Sequence, residues 1–158
     1  MDAWIGLGAN LGARRVALES AIDALRVLPR TRLVARSRLW ASESVGAAGP
    51  DYLNAVARLE TVLDPHDLLA ALQRIEARFG RERPYPNAPR TLDLDLLLAG
   101  DARIDTPTLV VPHPRLHERA FVLRPMADID ADVMVPGRGP VRQCLPRVAE
   151  QRCVPWPP

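Results

Sequence analysis

Two carboxylates, Asp93 and Asp95, stand two residues apart inside the leucine-rich run Leu92-Asp93-Leu94-Asp95-Leu96-Leu97-Leu98. In an extended segment successive side chains alternate faces, so Leu92, Leu94, Leu96 and Leu98 are expected on one side and Asp93, Asp95 and Leu97 on the other. Two like charges held side by side and partly buried repel, and one is pushed toward protonation unless a cation or arginines neutralise them. A divalent metal answers that need. Magnesium favours hard oxygen ligands, takes one or two protein carboxylates and completes its shell with water and substrate phosphates. The spacing therefore points to a nucleotide phosphate above the strand; the alternative is a solvated strand edge on which both acids face water.

The rest of the composition narrows how a phosphate could be held. All 21 basic residues are Arg, since the chain has no Lys. That excludes a Walker-type phosphate loop and lysine Schiff-base chemistry. Phosphate must be gripped by guanidinium forks, which bind oxyanions bidentately and stay charged. The 19 acids nearly balance the arginines and aromatics are only 4% of the chain, which argues against a nucleic-acid partner. Cys144 and Cys153 have no matching His or Cys cluster and are expected as free thiols. No leader-like segment and no run of eighteen apolar residues is present, so no membrane partner and a cytoplasmic location are expected. The 158 residues fit one domain, 1–158.

The elements that must carry the Asp pair can be read from periodicity. Residues 3–7 predict a buried strand, with the turn beginning at Gly8. Gly6, Gly8 and Gly12 are spaced GxGxxxG, a weak match to dinucleotide-binding loops. Apolar residues at helical spacing predict a helix over 14–28. Residues 32–42 alternate as one long half-exposed strand, and 52–62 form another. A helix over 65–79 has Asp64 as N-cap, Pro65 at its first position and Gly80 as its stop. Loops at 43–51 and 81–90 flank these elements, and both are long enough to be functional. Helices near 120–127 and 141–149 follow, with a frayed tail at 154–158. The order β-α-β-β-α-β predicts an α+β, ferredoxin-like fold: an antiparallel sheet with the two long helices on one face and C-terminal elements on the other.

Four ordered blocks give this chain a family likeness: Gly8-Ala9-Asn10-Leu11-Gly12, Pro50-Asp51-Tyr52-Leu53-Asn54-Ala55, Ala88-Pro89-Arg90-Thr91-Leu92-Asp93-Leu94-Asp95, and Val111-Pro112-His113-Pro114-Arg115 with Arg119-Ala120-Phe121. Together they resemble the 6-hydroxymethyl-7,8-dihydropterin pyrophosphokinases of folate biosynthesis. The resemblance implies transfer of a pyrophosphoryl group from ATP to the hydroxymethyl oxygen of the reduced pterin, with AMP released. It implies two magnesium ions held by Asp93 and Asp95, one bridging the α and β phosphates and one the β and γ. A monomer is expected. Arg81 and Arg90 match arginines beside the triphosphate, with Arg83, Arg119, His113 and Glu76 as further ATP-binding positions. Without the resemblance, Glu76 reads as a solvated residue on the polar side of its helix. For the pterin, the resemblance implies Asn54 and backbone groups from Ser42 to Val45 on the ring edge, with Tyr52 and Phe121 covering the ring.

The chain departs from some relatives at Asn87, where a loop Trp can stand, at Ala9 in place of a common Ser, and at Pro114 and His117 in place of a Tyr and a Lys. Two other readings remain at this stage: a different magnesium-dependent nucleotidyl- or glycosyltransferase, and a non-catalytic ferredoxin-like binding domain.

Overall fold

The computed structural model describes residues 1–10, 13–43, 51–79 and 92–157. Val45, Gly80, Arg81, Arg83, Asn87 and Arg90 lie outside the described residues. The backbone follows β1 (Asp2–Ala9), α1 (Arg14–Arg26), β2 (Thr31–Arg36), β3 (Leu39–Ser42), β4 (Tyr52–Thr61), α2 (Pro65–Phe79) and β5 (Asp93–Ala99). Two short hairpins, β6 (Ile104–Asp105) with β7 (Val110–Val111) and β8 (Met134–Val135) with β9 (Gly139–Pro140), are separated by α3 (Ala120–Asp130). The chain then runs through α4 (Val141–Cys144) into β10 (Cys153–Trp156). The main sheet is antiparallel in the order β10-β3-β4-β1-β5, and β2 pairs with β4 beyond β3. This is the predicted split arrangement with one strand added at its edge. No described helix is long and apolar enough to cross a membrane.

The two faces of the sheet bury different sets. On the first, Leu18, Ile22 and Leu25 of α1 and Leu68, Leu72 and Ile75 of α2 meet Leu53, Ala55, Ala57 and Leu59 of β4. On the second, α3 and α4 cover Trp4, Trp40, Val56, Leu97 and Leu98. Helix α2 has the predicted bounds, and Asp67 N donates to the Asp64 carboxylate at 2.9 Å, an N-cap bond.

Local periodicity misjudged several elements. The single strand expected over 32–42 is two strands, and β3 is buried throughout rather than half-exposed. Ser37 makes the break: its Oγ donates to Arg38 O at 2.7 Å and accepts from Val56 N at 2.9 Å, competing with the regular ladder. The predicted helix over 141–149 stops at Cys144 and tightens into a 3₁₀ turn containing Pro146, which has no N–H to give. The tail is not frayed over its described residues, 154–157. Cys153–Trp156 pairs with β3 as an edge strand, where Pro155 is tolerated. Gly8 and Ala9 belong to β1, not to the turn after it. Leu98 does not share a face with Leu92, Leu94 and Leu96, because a bulge opposite Trp4 and Ile5 turns both Leu97 and Leu98 to the second face. Cys144 and Cys153 are buried free thiols, and burial lifts the Cys153 thiol to about 11.

Asp128 ties α3 to the strand break. Its carboxylate accepts from Arg38 N at 3.2 Å, Nε at 3.2 Å and Nη2 at 2.9 Å, and from Trp40 Nε1 at 2.8 Å. Its side chain is only 15% exposed. Burial disfavours its charge, but the hydrogen bonds from Arg38 and Trp40 outweigh that and hold the carboxyl below its ordinary value. With the folded value depressed, the stabilisation is complete above the unfolded carboxylate range and is lost as pH falls through the folded value. Asp128→Ala should lower stability by about 2–3 kcal/mol, the cost of stranding donors to a charged acceptor. Asp128→Asn should flatten the acid side of the stability profile. Denaturant melts at neutral and acidic pH check both; an unchanged midpoint for the Ala variant would remove Asp128 from the anchor.

Candidate active site

The Asp strand is placed by what its leucines bury. Leu92, Leu94 and Leu96 are sunk in the first-face core, which leaves Asp93 half-buried and Asp95 exposed on the second face. Exposure of Asp95 weakens the desolvation argument made from sequence, since water screens part of the repulsion. What remains is location. Asp93 is in register with Gly8 of β1 and Asp95 with Gly6. Gly8 is in turn opposite Asn54 on β4, and Asn54 opposite Trp40 on β3. Directly paired residues share a face, so Asp93, Gly8 and Asn54 form one row across three strands.

The glycines shape that row. A Cβ on Gly6 would lie 3.3 Å from Leu97 Cδ2, so Gly6 makes room for the bulged leucine. A Cβ on Gly8 would lie 3.4 Å from Asn54 Oδ1. The bare strand becomes the floor of a cavity of about 260 Å3, with Asp93, Asp95, Ser42, Tyr52, Asn54, Arg119 and Phe121 in its walls. Seven of the residues singled out from sequence therefore meet in one place. Glu43, within the Ser42 to Val45 stretch that the resemblance placed on the ring edge, also lines it, as does Val122, which had no motif to announce it. Gly6 had been singled out only in a weak nucleotide-loop pattern, and Gly8 there and at the head of the first motif block, although a Gly-x-Gly inside a strand itself signals close approach of something to the backbone.

Each wall is held by identifiable contacts. Asn54 is 3% exposed; its Nδ2 donates to Ser42 Oγ at 2.8 Å and to Trp40 O at 3.3 Å, which turns Oδ1 toward Gly8. Ser42 is opposite Tyr52 on one side and Cys153 on the other, so the C-terminal strand braces this wall. At the mouth, the Arg119 guanidinium lies 5.4 Å from the centre of the Phe121 ring. Gln151 fixes the start of α3, accepting from Ala120 N and donating to Glu118 O, both at 2.8 Å.

Two candidates sit apart. Glu76 is not solvated: it is 6% exposed, and its Oε2 accepts from Leu94 N at 3.1 Å, gripping the backbone between the two aspartates. It does not line the cavity. His113 is half-buried, its N donates to Leu97 O at 3.0 Å, and its Nδ1 accepts from Arg115 N at 3.2 Å. Burial pushes its pKa down, Arg119 and Arg115 add to that, and Asp95 opposes them. His113 is thus in the field of Asp95 without lining the cavity that Asp95 lines.

Residues 4–131 match the family model of 7,8-dihydro-6-hydroxymethylpterin-pyrophosphokinase (HPPK). The chain belongs to the HPPK family. It is 48% identical over 134 residues to a 2-amino-4-hydroxy-6-hydroxymethyldihydropteridine pyrophosphokinase of Pseudomonas aeruginosa, covering 84% of this chain and 83% of that one. The corresponding protein of Haemophilus influenzae is 38% identical over 155 residues, covering 98% and 97%. Among solved structures, an HPPK-DHPS crystallised with substrates superposes with a TM-score of 0.73 at 11% identity, over 94% of this chain and 43% of that one. Wild-type Plasmodium falciparum HPPK-DHPS with pteroate gives 0.72 at 12%, over 95% and 45%. These identities speak to fold alone, and this chain spans less than half the length of either. The sequence relatives make the chain an enzyme, a pyrophosphokinase.

Gly8→Val tests the floor. Valine suits a strand, so melting should change little, while its methyls enter the cavity beside Asn54; kcat/KM should fall about 10²-fold, as expected for a substrate displaced by an ångström. Steady-state kinetics beside a melting curve decide it, and unimpaired turnover would mean the substrate does not rest on β1.

Proposed function

We propose that this enzyme transfers the pyrophosphoryl group of ATP to the hydroxymethyl oxygen of 6-hydroxymethyl-7,8-dihydropterin, as the names of its sequence relatives suggest. The observation that carries the reading is the meeting of Asp93 and Asp95 with Asn54, Tyr52 and Phe121 in one cavity. A phosphate-handling pair and an amide-and-aromatic slot are both required for a pterin acceptor, and a nucleotide-sugar transferase would have no use for the second.

In this reading Asn54 pairs with the amide-like edge of the pterin. Its orientation is set by Ser42 and Trp40, and Phe121 and Tyr52 cover the ring. The acceptor hydroxymethyl group then lies toward Asp93 and Asp95 along the Gly8 row. Its oxygen attacks the β-phosphorus, the bond from that phosphorus to the oxygen bridging to the α-phosphate breaks, AMP departs with the bridging oxygen, and the hydroxyl proton is released. No protein nucleophile is needed, because such transfers rest on positioning and charge neutralisation. Arg119 of the cavity wall, with Arg81, Arg83 and Arg90 of the sequence before β5, supplies guanidinium forks to the triphosphate, and His113 supports its phosphates. Glu76 acts behind the site by holding the Leu94 amide and hence the strand carrying both aspartates.

The donor set fits magnesium. Among the described residues no group of three or more His, Cys, Asp or Glu could hold a metal ion, so a metal here relies on two carboxylates and on ligands from outside the protein. That is the arrangement magnesium accepts with a nucleotide. Two ions held by Asp93 and Asp95 would neutralise the triphosphate charge and align it for in-line attack.

The test is AMP formation from ATP, the pterin and magnesium, each omitted in turn. AMP only in the full mixture supports the reading, and ADP or no product refutes it. Asp95→Asn and Asp93→Asn should each lower kcat by about 10³-fold or more, several kcal/mol of lost charge stabilisation, with the fold retained. Asn54→Ala should weaken pterin binding by about 1–3 kcal/mol, leaving a polar ring edge unpaired, with ATP affinity little changed. Equal losses for both ligands would move Asn54 out of the acceptor slot.

A further inference from the structure

One wall of the reaction cavity ends in a row of three charges. Cys153 of β10 is paired with Ser42 of β3, and Ser42 with Tyr52 of β4. The next residues outward on these strands are Arg152, Glu43 and Asp51. The antiparallel register carried one step further sets Arg152 beside Glu43 and Glu43 beside Asp51. Two carboxylates opposite one another on neighbouring strands repel, and the ends of β3 and β4 are pushed apart.

The repulsion is answered from β10. Arg152 Nη1 donates to Asp51 Oδ2 at 2.9 Å, reaching across β3 to do so. That hydrogen bond and the charge of Asp51 hold the Arg152 guanidinium above its ordinary value, and the charge of Glu43 adds to them. One cation thus serves both acids. The backbone of Asp51 is fixed separately, because Arg14 Nη1, at the start of α1, donates to its carbonyl oxygen. With Asp51 tied to α1, the end of β3 is the part that Arg152 restrains.

Glu43 is exposed, and the Asp51 and Arg152 side chains are 35% and 50% exposed, so the contact itself is modest in energy. Its consequence comes from where it sits. Ser42, next to Glu43, holds the Asn54 amide through the 2.8 Å bond at its Oγ, and Tyr52 follows Asp51 directly. Ser42, Glu43, Tyr52 and Asn54 all line the cavity. Parting β3 from β4 at this row would turn the Asn54 amide and widen the slot. Asp93 and Asp95, on a strand two places away, would keep their positions.

We propose that Arg152 is a positioning residue for the acceptor: by neutralising Glu43 and Asp51 together, it keeps β3 closed on β4 and sets the slot between Ser42, Tyr52 and Asn54. The inference rests on the pterin reading for the identity of the acceptor and deepens it.

The experiment is steady-state AMP formation with the pterin varied at saturating ATP and magnesium, and then with ATP varied. Arg152→Gln should raise the pterin KM about three- to fivefold, the reach of one exposed charge contact, with kcat and the ATP KM little changed. Removing one of the repelling acids as well, in Arg152→Gln with Asp51→Asn, should restore the wild-type value. Arg152→Lys, which keeps the charge, should retain most of it, and raised salt should shrink the Arg152→Gln defect by screening the acids. Arg142→Gln, which breaks an exposed pair of the same kind with Asp132, should change nothing. All these variants should melt with the wild type, since surface pairs contribute little to stability. A second readout needs no substrate: the side-chain amide resonance of Asn54 in the free enzyme should move in Arg152→Gln and return in the double variant. An unchanged pterin KM with an unmoved Asn54 resonance would overturn the proposal. So would a defect that Asp51→Asn does not relieve, or one shared equally by kcat and both substrates. A wild type that forms no AMP refutes the reaction, and the Asn54 resonance then decides the positioning by itself.

Discussion

The register between β1 and β5 is the constraint on which the active site depends. It sets Gly8 opposite Asp93 and Gly6 opposite Asp95, so that the two carboxylates look across a strand that has no side chains to obstruct them. The register is enforced from the other side of the sheet. Leu92, Leu94 and Leu96 are buried there, each contributing about 1.5–3 kcal/mol of apolar burial. A slip by one residue would expose all three and bury the acids. The position of the charged groups is therefore maintained by their apolar neighbours, and Glu76 adds a hydrogen bond to the backbone between them.

The opposite wall is positioned by residues remote in sequence. Helix α3 carries Arg119 and Phe121 to the cavity, and it is moored at its start by Gln151 and near its end by Asp128. Asp128 binds the point where β2 gives way to β3, and β3 in turn carries Ser42 to the Asn54 amide. Strand β10 closes the circuit by pairing with β3. Loss of packing at the C-terminus would thus reach the amide that faces Gly8, through backbone pairing rather than through direct contact.

Charge is partitioned between two cavities. The reaction pocket mixes acids with one arginine at its mouth, a composition suited to a polyanion that arrives with its own cations. A second cavity, between the loop after β7 and the β8–β9 hairpin, carries Arg103, His113, His117 and Arg138 and no acid. His113 lies between these regimes, on the wall of one and in the field of Asp95 from the other.

Elements whose signals are local were legible in the sequence. Helix α2, with Asp64 capping it and a leucine stripe at helical spacing, has the bounds its pattern implied, and the alternation of Leu and Asp through residue 96 placed both acids on one face. The four motif blocks were enough to name the family, and six of the site residues within them, Tyr52, Asn54, Asp93, Asp95, Arg119 and Phe121, line one cavity. Other features needed partners that local patterns do not carry. Ser37 breaks a strand only because Val56 is beside it, Leu98 changes face only because β1 forces a bulge, and the tail becomes a strand only because β3 offers an edge. Glu76 reads as polar surface until Leu94 N is found against it, and Gly8 reads as the start of a turn until Asp93 stands opposite it. Sequence by itself determined which residues could do the chemistry, because side-chain type and short-range spacing are intrinsic to the chain. Tertiary structure decided where their empty space lies, because a cavity is defined by non-local pairing and by the side chains that glycine leaves out.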